Sequence, residues 1–436
     1  MANKLTRYIL FALVLGLIAG WATNAAIDDG SPASAEQLKQ IADYLGIVTA
    51  LFLRLIKMII APLVFSTLVV GIAHMGDTAA LGRVGVRSLA WFILASLVSL
   101  SLGLLLVNIL QPGVGLDLAL PATNAASGVA KEGFSIADFV THLVPASIVE
   151  AMAKNEILQI VIFSVFFGVA LTAIGDKGKA LVAGVESLVH VMLQITDYVM
   201  RFAPFAVFAA VTAAIAEQGP SILVTFGRFV GSFYLGIVLL WCLLLAAAFL
   251  FVGSRTRLLI RYIRDPIVLA FSTASSEAAY PRTLEALDRF GVPPRIASFV
   301  LPLGYSFNLD GSMMYMTFAS IFIAQAYGID LSLGQEITML LVLMVTSKGV
   351  AGVPRASLVV IAATLSLFNI PEAGLLLILA VDHFLDMGRS ATNVVGNAVA
   401  SVVVAKWEGS LDPIEPADIE PPHAPSHRLD PPPIES

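Results

Sequence analysis

Within the apolar run 371–407, five polar residues, Asp382, Asp386, Arg389, Asn393 and Asn397, recur at spacings of 4, 3, 4 and 4. At about 100° per residue they fall within an arc of roughly 80° on one helix face. The other faces are almost wholly Leu, Ile, Val, Ala and Phe. A charged side chain at the centre of a membrane helix costs about 2.5–3.5 kcal/mol, whereas a Leu or Val returns only about 0.3–0.6. Three charges on that face therefore cannot point at lipid; the stripe must meet protein, water or a bound solute. In a purely structural role, Asp386 and Arg389 neutralise each other at i,i+3 and the asparagines tie helices together. As a solute site, the same stripe holds a cation close to an anion, which suits a zwitterion or a dicarboxylate.

The whole chain shares this setting. Of its 436 residues, 58% are hydrophobic and 13% charged, with a mean hydropathy of +0.88, against about 25% charged in an ordinary soluble domain. It reads as an all-α membrane protein with many spans, surrounded by membrane lipid. A net charge of −6, partly carried by the C-terminal tail, implies no nucleic-acid partner. Cys242, the single cysteine, lies mid-span in a Leu-rich run, so no intrachain disulfide forms. The six histidines make no pair with metal-ligand spacing, so neither a transition-metal centre nor another cofactor is expected.

Along the chain, Lys4 and Arg7 precede an apolar run, 8–27. Its small residues near 22–26 resemble a leader cleavage site, but a run of about 20 residues is a full crossing, and the reading is an uncleaved first span. Residues 28–40 are expected as a short outside loop. Spans follow at 47–74 and 88–110, joined by a loop at 76–87 with Arg83 and Arg87. The Pro/Gly/Ala-rich stretch 111–133 reads as an extracellular excursion, and 134–154 as an amphipathic segment. Further crossings are 157–174, then 181–215 with a kink at Met200-Arg201-Phe202-Ala203-Pro204, then 222–252. Arg83 with Arg87, Lys177 with Lys179, and Arg255, Arg257, Arg261 and Arg264 all fall on one side when spans are counted. The positive-inside rule makes that side cytoplasmic, together with both termini.

Two later stretches are too broken for straight helices. The apolar arm 266–271 runs into Ser272-Thr273-Ala274-Ser275-Ser276-Glu277 and turns back through Pro281-Arg282. Residues 335–370 are split by Thr346-Ser347-Lys348-Gly349-Val350-Ala351-Gly352-Val353-Pro354-Arg355 into arms that suit a re-entrant hairpin. Each tip precedes a span with polar residues: Asp310 follows Pro281 by 29 positions, and Asp386 follows Pro354 by 32. The first of these spans, 295–327, is itself broken near Gly304-Tyr305-Ser306-Phe307-Asn308-Leu309-Asp310-Gly311-Ser312. Such an echo between interrupted segments points to inverted repeats around a midplane site. The tail beyond Trp407, rich in Pro, Asp and Glu, is expected to be disordered and cytoplasmic.

Together, Ser272-Thr273-Ala274-Ser275-Ser276, Asn308-Leu309-Asp310-Gly311-Ser312, Gly349-Val350-Ala351-Gly352-Val353-Pro354 and Asp386-Met387-Gly388-Arg389-Ser390-Ala391-Thr392-Asn393 resemble the dicarboxylate/amino acid:cation symporter family. The likeness covers residues 5–408 and is densest from 265 onward. It implies eight spans and two re-entrant hairpins in a homotrimer of the cell inner (plasma) membrane, working as an elevator. Scaffold spans 1–2 would occupy 1–87, span 3 and an outer loop 88–133, and scaffold spans 4–5 134–218. The remaining transport part would occupy 219–408, and the tail 409–436. By position, Arg389 resembles the partner of the substrate's side-chain carboxylate, and Asp386 the partner of its ammonium. Asn393, Ser390, Ser275, Ser276, Ser312, Gly352 and Val353 resemble the other substrate contacts. Gly304, Asn308, Asp310, Asn393, Asn397 and Ser347 resemble cation-site residues. Family members that carry C4-dicarboxylates resemble one another in lacking a carboxylate at the Asp386 position, so the resemblance implies L-glutamate or L-aspartate, with a C4-dicarboxylate as the alternative.

The coupling ion is less determined. Asn397 stands where the family's sodium-coordinating aspartate is expected, and Phe92 and Ala95 stand at positions of hydroxyls. Proton coupling with residual sodium dependence is the expectation, and Glu277 is a candidate proton carrier or else a solvated loop carboxylate. Two other classes stay in view. A substrate-gated channel is disfavoured because an Arg–Asp pair binds too specifically for fast conduction. An intramembrane enzyme would need a base for its serines, and only Lys348 lies near a tip.

Overall fold

The computed structural model describes residues 2–75, 78–115, 141, 143–219, 226–347, 356–379 and 381–412; among these the regular structure is helical, with no strand. Three long helices open the chain: α1 (Ala2–Ile27), α2 (Pro32–Met75) and α3 (Thr78–Leu110). The expected loops at 28–40 and 76–87 are therefore mostly helix. Hydropathy marks only the part of a helix that lies in hydrocarbon, whereas helix-forming residues carry the hydrogen-bonded spiral on into water. In α2 the extension starts at Pro32, whose fixed φ suits a first turn, and it buries Leu38 and Ala42. In α3 it buries Leu81 and Val84.

Next come α4 (Ile148–Lys154), α5 (Ile157–Ile174), α6 (Lys179–Met200), α7 (Ala203–Gln218) and α8 (Gly227–Val252). The expected kink at Pro204 is a full break between α6 and α7, with the proline in the first turn of the new helix. Among the described residues, five helical stretches, Arg7–Ile27, Pro32–Ala73, Leu81–Leu110, Ile157–Met200 and Gly227–Thr273, are long and apolar enough to cross a membrane.

From here a pattern occurs twice. Helices α9 (Thr256–Thr273) and α10 (Tyr280–Phe290) form one helix-turn-helix, followed by a two-piece helix, α11 (Pro294–Phe307) and α12 (Asp310–Ala326). Helices α13 (Leu333–Thr346) and α14 (Ala356–Leu367) pack together as a second pair, followed by α15 (Leu375–Leu379) and α16 (Asp382–Trp407). The first arm of the first pair is longer than its apolar core, because the arginine-rich segment from Thr256 is helical too. Its tip turns at Ala274, a left-handed residue with φ 48°, which costs a non-glycine residue about 1–2 kcal/mol.

Most of the packing falls into two groups of helices, which meet where α11 lies against α2 and α1 against α9. Helix α2 lies against α5, α6 and α7, and α1 lies along α7. Helix α16 lies against α8, α9, α11 and α12, while α3 lies along α12. Both α12 and α16 are buried on all faces over most of their length, which is the condition of a helix at the centre of a core. Polar groups on those two helices therefore have to find partners inside the protein.

Candidate functional site

The break between α11 and α12 falls at Asn308 and Leu309, whose backbone angles (φ −125°, ψ 61° and φ −96°, ψ 66°) are not helical. Asn308 leaves the helical path and donates from Nδ2 to Asp310 Oδ2 at 3.1 Å and to Asn397 Oδ1 at 3.3 Å. Asp310 Oδ1 accepts from Ser99 Oγ of α3 at 3.2 Å. Three helices thus bring oxygens together around the broken segment. Asn308 Oδ1 and Asn397 Nδ2 are buried without a hydrogen-bond partner among the described residues. Gly304 permits this approach, because a Cβ there would overlap Asn397 Oδ1.

One turn back along α16, Asn393 Oδ1 accepts from the backbone nitrogens of Gly311 (2.9 Å) and Ser312 (3.4 Å), and its Nδ2 donates to Ser312 Oγ at 3.3 Å. Two of the first backbone donors of α12 are satisfied in this way by a side chain from another helix. The next polar group is Arg389. Its Nη2 lies 3.1 Å from Asp386 Oδ1 and 3.2 Å from Asp382 Oδ1, and its Cζ sits 4.1 Å from the centroid of the Tyr315 ring. Tyr315 Oη in turn donates to Asp382 Oδ1 at 3.0 Å, and Ser390 Oγ donates to Asp386 Oδ1 at 3.3 Å.

The two carboxylates differ in setting. The Asp382 side chain is 9% exposed and faces Tyr315, whereas that of Asp386 is 40% exposed while Arg389 is 4% exposed. Only one of the two acids can reach an incoming solute while still holding the arginine. Arg389 Nε and Nη1 are buried and have no hydrogen-bond partner among the described residues. Unsatisfied guanidinium donors next to a part-exposed carboxylate can receive one carboxylate and one ammonium at once.

The structure places three hydrogen-bonded sets along α16: Arg389 with Asp386 and Ser390, Asn393 with Ser312, and Asn397 with Asn308 and Asp310, with Gly304 packed against Asn397. Ser275 and Ser276 sit apart at the first hairpin tip. Ser275 Oγ accepts from the Ala278 nitrogen at 3.3 Å, and the Ser276 carbonyl accepts from Tyr305 Oη at 3.1 Å. Ser347 donates back into its own helix, to the Met344 carbonyl at 3.1 Å. Glu277 is half-buried in the short turn 277–279 that lies against α2, and Lys57 is the charge that acts on it. Gly352, Val353 and Lys348 lie outside the described residues.

Three partners were missed in the sequence, Tyr315, Ser96 and Ser99, and Asp382 stood on the stripe without a role. Tyr315 and Asp382 complete the arginine's surroundings, and Ser99, with Ser96 Oγ 3.5 Å from the Phe307 carbonyl, completes the broken segment from α3. The serines lie within two turns of Phe92 and Ala95, in the apolar middle of α3, where the polar residues are Ser96, Ser99 and Ser101. Attention to serines that share a helix face at spacings of eight and three, Ser88, Ser96 and Ser99, all of them buried, would have found them.

Residues 5–407 match the model of the sodium:dicarboxylate symporter family. The chain belongs to that family. The match spans every element from α1 to α16, including the stripe. Over 409 residues the chain is 41% identical to the proton/sodium-glutamate symport protein of Geobacillus stearothermophilus, covering 93% of this chain and 94% of that one. Over 417 residues it is 43% identical to the proton/glutamate-aspartate symporter of Escherichia coli (strain K12), covering 94% of each. A C4-dicarboxylate transport protein of Laribacter hongkongensis is 41% identical over 417 residues, covering 94% of this chain and 92% of that one. The family is one of transporters, so the buried set on α16 of this sodium:dicarboxylate symporter family member is read as part of a transport path.

Proposed function

We propose that the chain is a secondary active symporter that imports an acidic amino acid, L-glutamate or L-aspartate, together with protons, sodium ions or both. The observation that carries this reading is Arg389, held by two acids on Nη2 while Nε and Nη1 stay buried and unpartnered among the described residues. The substrate's side-chain carboxylate pairs with those donors, and its ammonium pairs with Asp386, the more exposed of the two acids. Asn393, Ser390 and Ser312 complete the pocket, and the family resemblance assigns Ser275, Ser276, Gly352 and Val353 to the same substrate. The activities for which the relatives in Geobacillus stearothermophilus and Escherichia coli are named support the same substrates. A C4-dicarboxylate is the second reading, supported by relatives named as C4-dicarboxylate transport proteins at similar identity.

For coupling, Asp310, Asn308, Gly304, Asn393, Asn397 and Ser347 supply oxygens suited to a hard monovalent cation, and Glu277 is a proton carrier at the hairpin tip. Asn397 in place of a carboxylate weakens the cation site and favours the proton.

In this reading α1, α2 and α5–α7 are the scaffold, and α3 with α8–α16 is the moving part. The path has eight spans and two hairpins arranged as inverted repeats. Three chains assemble in the inner membrane with both termini in the cytoplasm, and the moving part slides as an elevator. The grouping of helix contacts supports that division.

The test is uptake into proteoliposomes at clamped voltage, with the pH and sodium gradients varied separately and succinate and serine as competitors. Glutamate uptake that saturates, shows counterflow and responds to the pH gradient agrees with the proposal. A response to sodium alone removes the proton from it, and succinate outcompeting glutamate selects the second reading.

A further inference from the structure

A cleft of about 520 Å³, counting its open mouth, lies where α1 and the end of α6 meet the first hairpin, far along the chain from the stripe on α16. One wall is apolar: Leu5 and Ile9 of α1 face Leu269 of α9. The other end carries charges, and these can be accounted for one at a time. Arg282 is held by Glu285 (2.8 Å) and by Asp197 of α6 (2.7 Å). Asp265 is paired with Arg264 at 3.4 Å. Arg289, which also lines the cleft and is half-buried, makes no hydrogen bond or ion pair among the described residues. One guanidinium without an ion-pair partner among the described residues thus stands at the end of an apolar slot.

The chemistry that complements such a slot is an anion with a hydrocarbon tail. The depth of the cleft says where that molecule comes from. Arg255, Arg257, Arg261 and Arg264 precede Leu269 on α9, and five residues of helix separate Arg264 from Leu269, about 7.5 Å. A row of arginines at that distance marks the boundary between headgroups and hydrocarbon, and Tyr262 in the lining suits the same level. With the orientation proposed above, on which this point rests, that boundary belongs to the cytoplasmic leaflet.

We propose that the cleft holds one anionic phospholipid of the cytoplasmic leaflet, its phosphate on Arg289 and one acyl chain along Leu5, Ile9 and Leu269. A guanidinium offers a phosphate two parallel N–H donors, and an anionic leaflet concentrates the ligand near the arginine row. The two walls belong to different helix groups, so the lipid spans the seam between them, beside the Arg282–Asp197 bridge that crosses it too. A shift of the hairpin past α1 takes the two walls apart, and occupancy therefore favours the arrangement seen here.

Native mass spectrometry of the full-length chain, released from nanodiscs containing phosphatidylglycerol and phosphatidylcholine, tests this. The expected result is one phosphatidylglycerol retained per chain under activation that strips phosphatidylcholine. Arg289→Gln should lower that retention at least about tenfold while Arg289→Lys keeps part of it. Millimolar glycerol 3-phosphate, which has the phosphate and no acyl chain, should not displace the lipid. Equal retention by Arg289→Gln, equal retention of the two lipids, or displacement by glycerol 3-phosphate overturns the proposal. Should Arg289→Gln fail to fold, Leu5→Trp fills the apolar wall from the chain's edge and should lower retention, and unchanged retention there overturns the proposal as well. Lipid retention is read without any transport, so its outcome is separate from whether the chain imports acidic amino acids. Accessibility of a cysteine placed at Arg257 tests the orientation independently.

Discussion

Asn308 Nδ2 lies 3.3 Å from Asn397 Oδ1, tying the break between α11 and α12 directly to the last long helix. The same amide nitrogen reaches Asp310 Oδ2, so two side chains from one broken segment and one from α16 share a single small polar volume. That volume is where an ion would feel both halves of the repeated pattern.

Asn397→Asp adds a second carboxylate to it. Two carboxylates about 4 Å apart repel by about 4 kcal/mol at an effective dielectric of 20, and a bound cation relieves the repulsion. The expected outcome is a half-saturating sodium concentration for glutamate uptake that falls at least about tenfold, measured at fixed pH and voltage. Unchanged sodium dependence would place the ion elsewhere.

Arg389 is expected to be indispensable for a reason that differs between two substitutions. Arg389→Ala leaves Asp382 buried beside Tyr315 without its cation, a loss of about 3–5 kcal/mol, so both uptake and thermal stability should drop. Arg389→Lys keeps the charge but removes the paired donors. Substrate affinity by calorimetry should fall at least about tenfold with the melting temperature nearly preserved.

Asp386 separates the substrates. Its exposed oxygen pairs with an ammonium that succinate lacks, and a hydrogen bond to a charged group contributes about 1.5–3 kcal/mol. Asp386→Ala should weaken glutamate uptake roughly tenfold to a hundredfold relative to succinate uptake. Equal losses for the two solutes would show that the carboxylate serves only to hold Arg389.

Gly311 and Gly46 make a matched pair for stability. A Cβ at Gly311 would lie 2.8 Å from the Arg389 Cα, a backbone atom with nowhere to move, so Gly311→Ala should destabilise by about 1–3 kcal/mol. Gly46, within α2, has nothing within 4 Å of that position. Gly46→Ala should raise stability by up to about 1 kcal/mol. Thermal melts in one detergent compare the two, and similar shifts would mean that α12 and α16 are looser than they look.

Much of the site is legible in the order of residues alone. The polar stripe stands out because a helix repeats every 3.6 residues, and polar residues in an apolar run have no other use for that spacing. The interruptions at Ser272–Glu277 and Asn308–Ser312 stand out because Gly, Ser, Asn and Asp compete with the helical backbone for its own hydrogen bonds. Other features are hidden by the same logic. The starts of α2 and α3 are polar, so hydropathy falls silent there while helix propensity continues. Tyr315 is one aromatic residue in an apolar helix, and nothing local marks it as the face under a guanidinium.

What the linear chain determined by itself was a many-span helical protein with an arginine, acids and amides on one inner face, because the cost of charge in hydrocarbon leaves no other place for them. What only the folded molecule decided was the company each of them keeps. Asp382 turns to Tyr315 and stays buried, while Asp386, four residues on, keeps an open side. Ser99 reaches Asp310 across 211 positions of sequence. Periodicity tells which residues share a face, but the partner on the next helix depends on how the two axes cross, and that is a property of packing over the whole core.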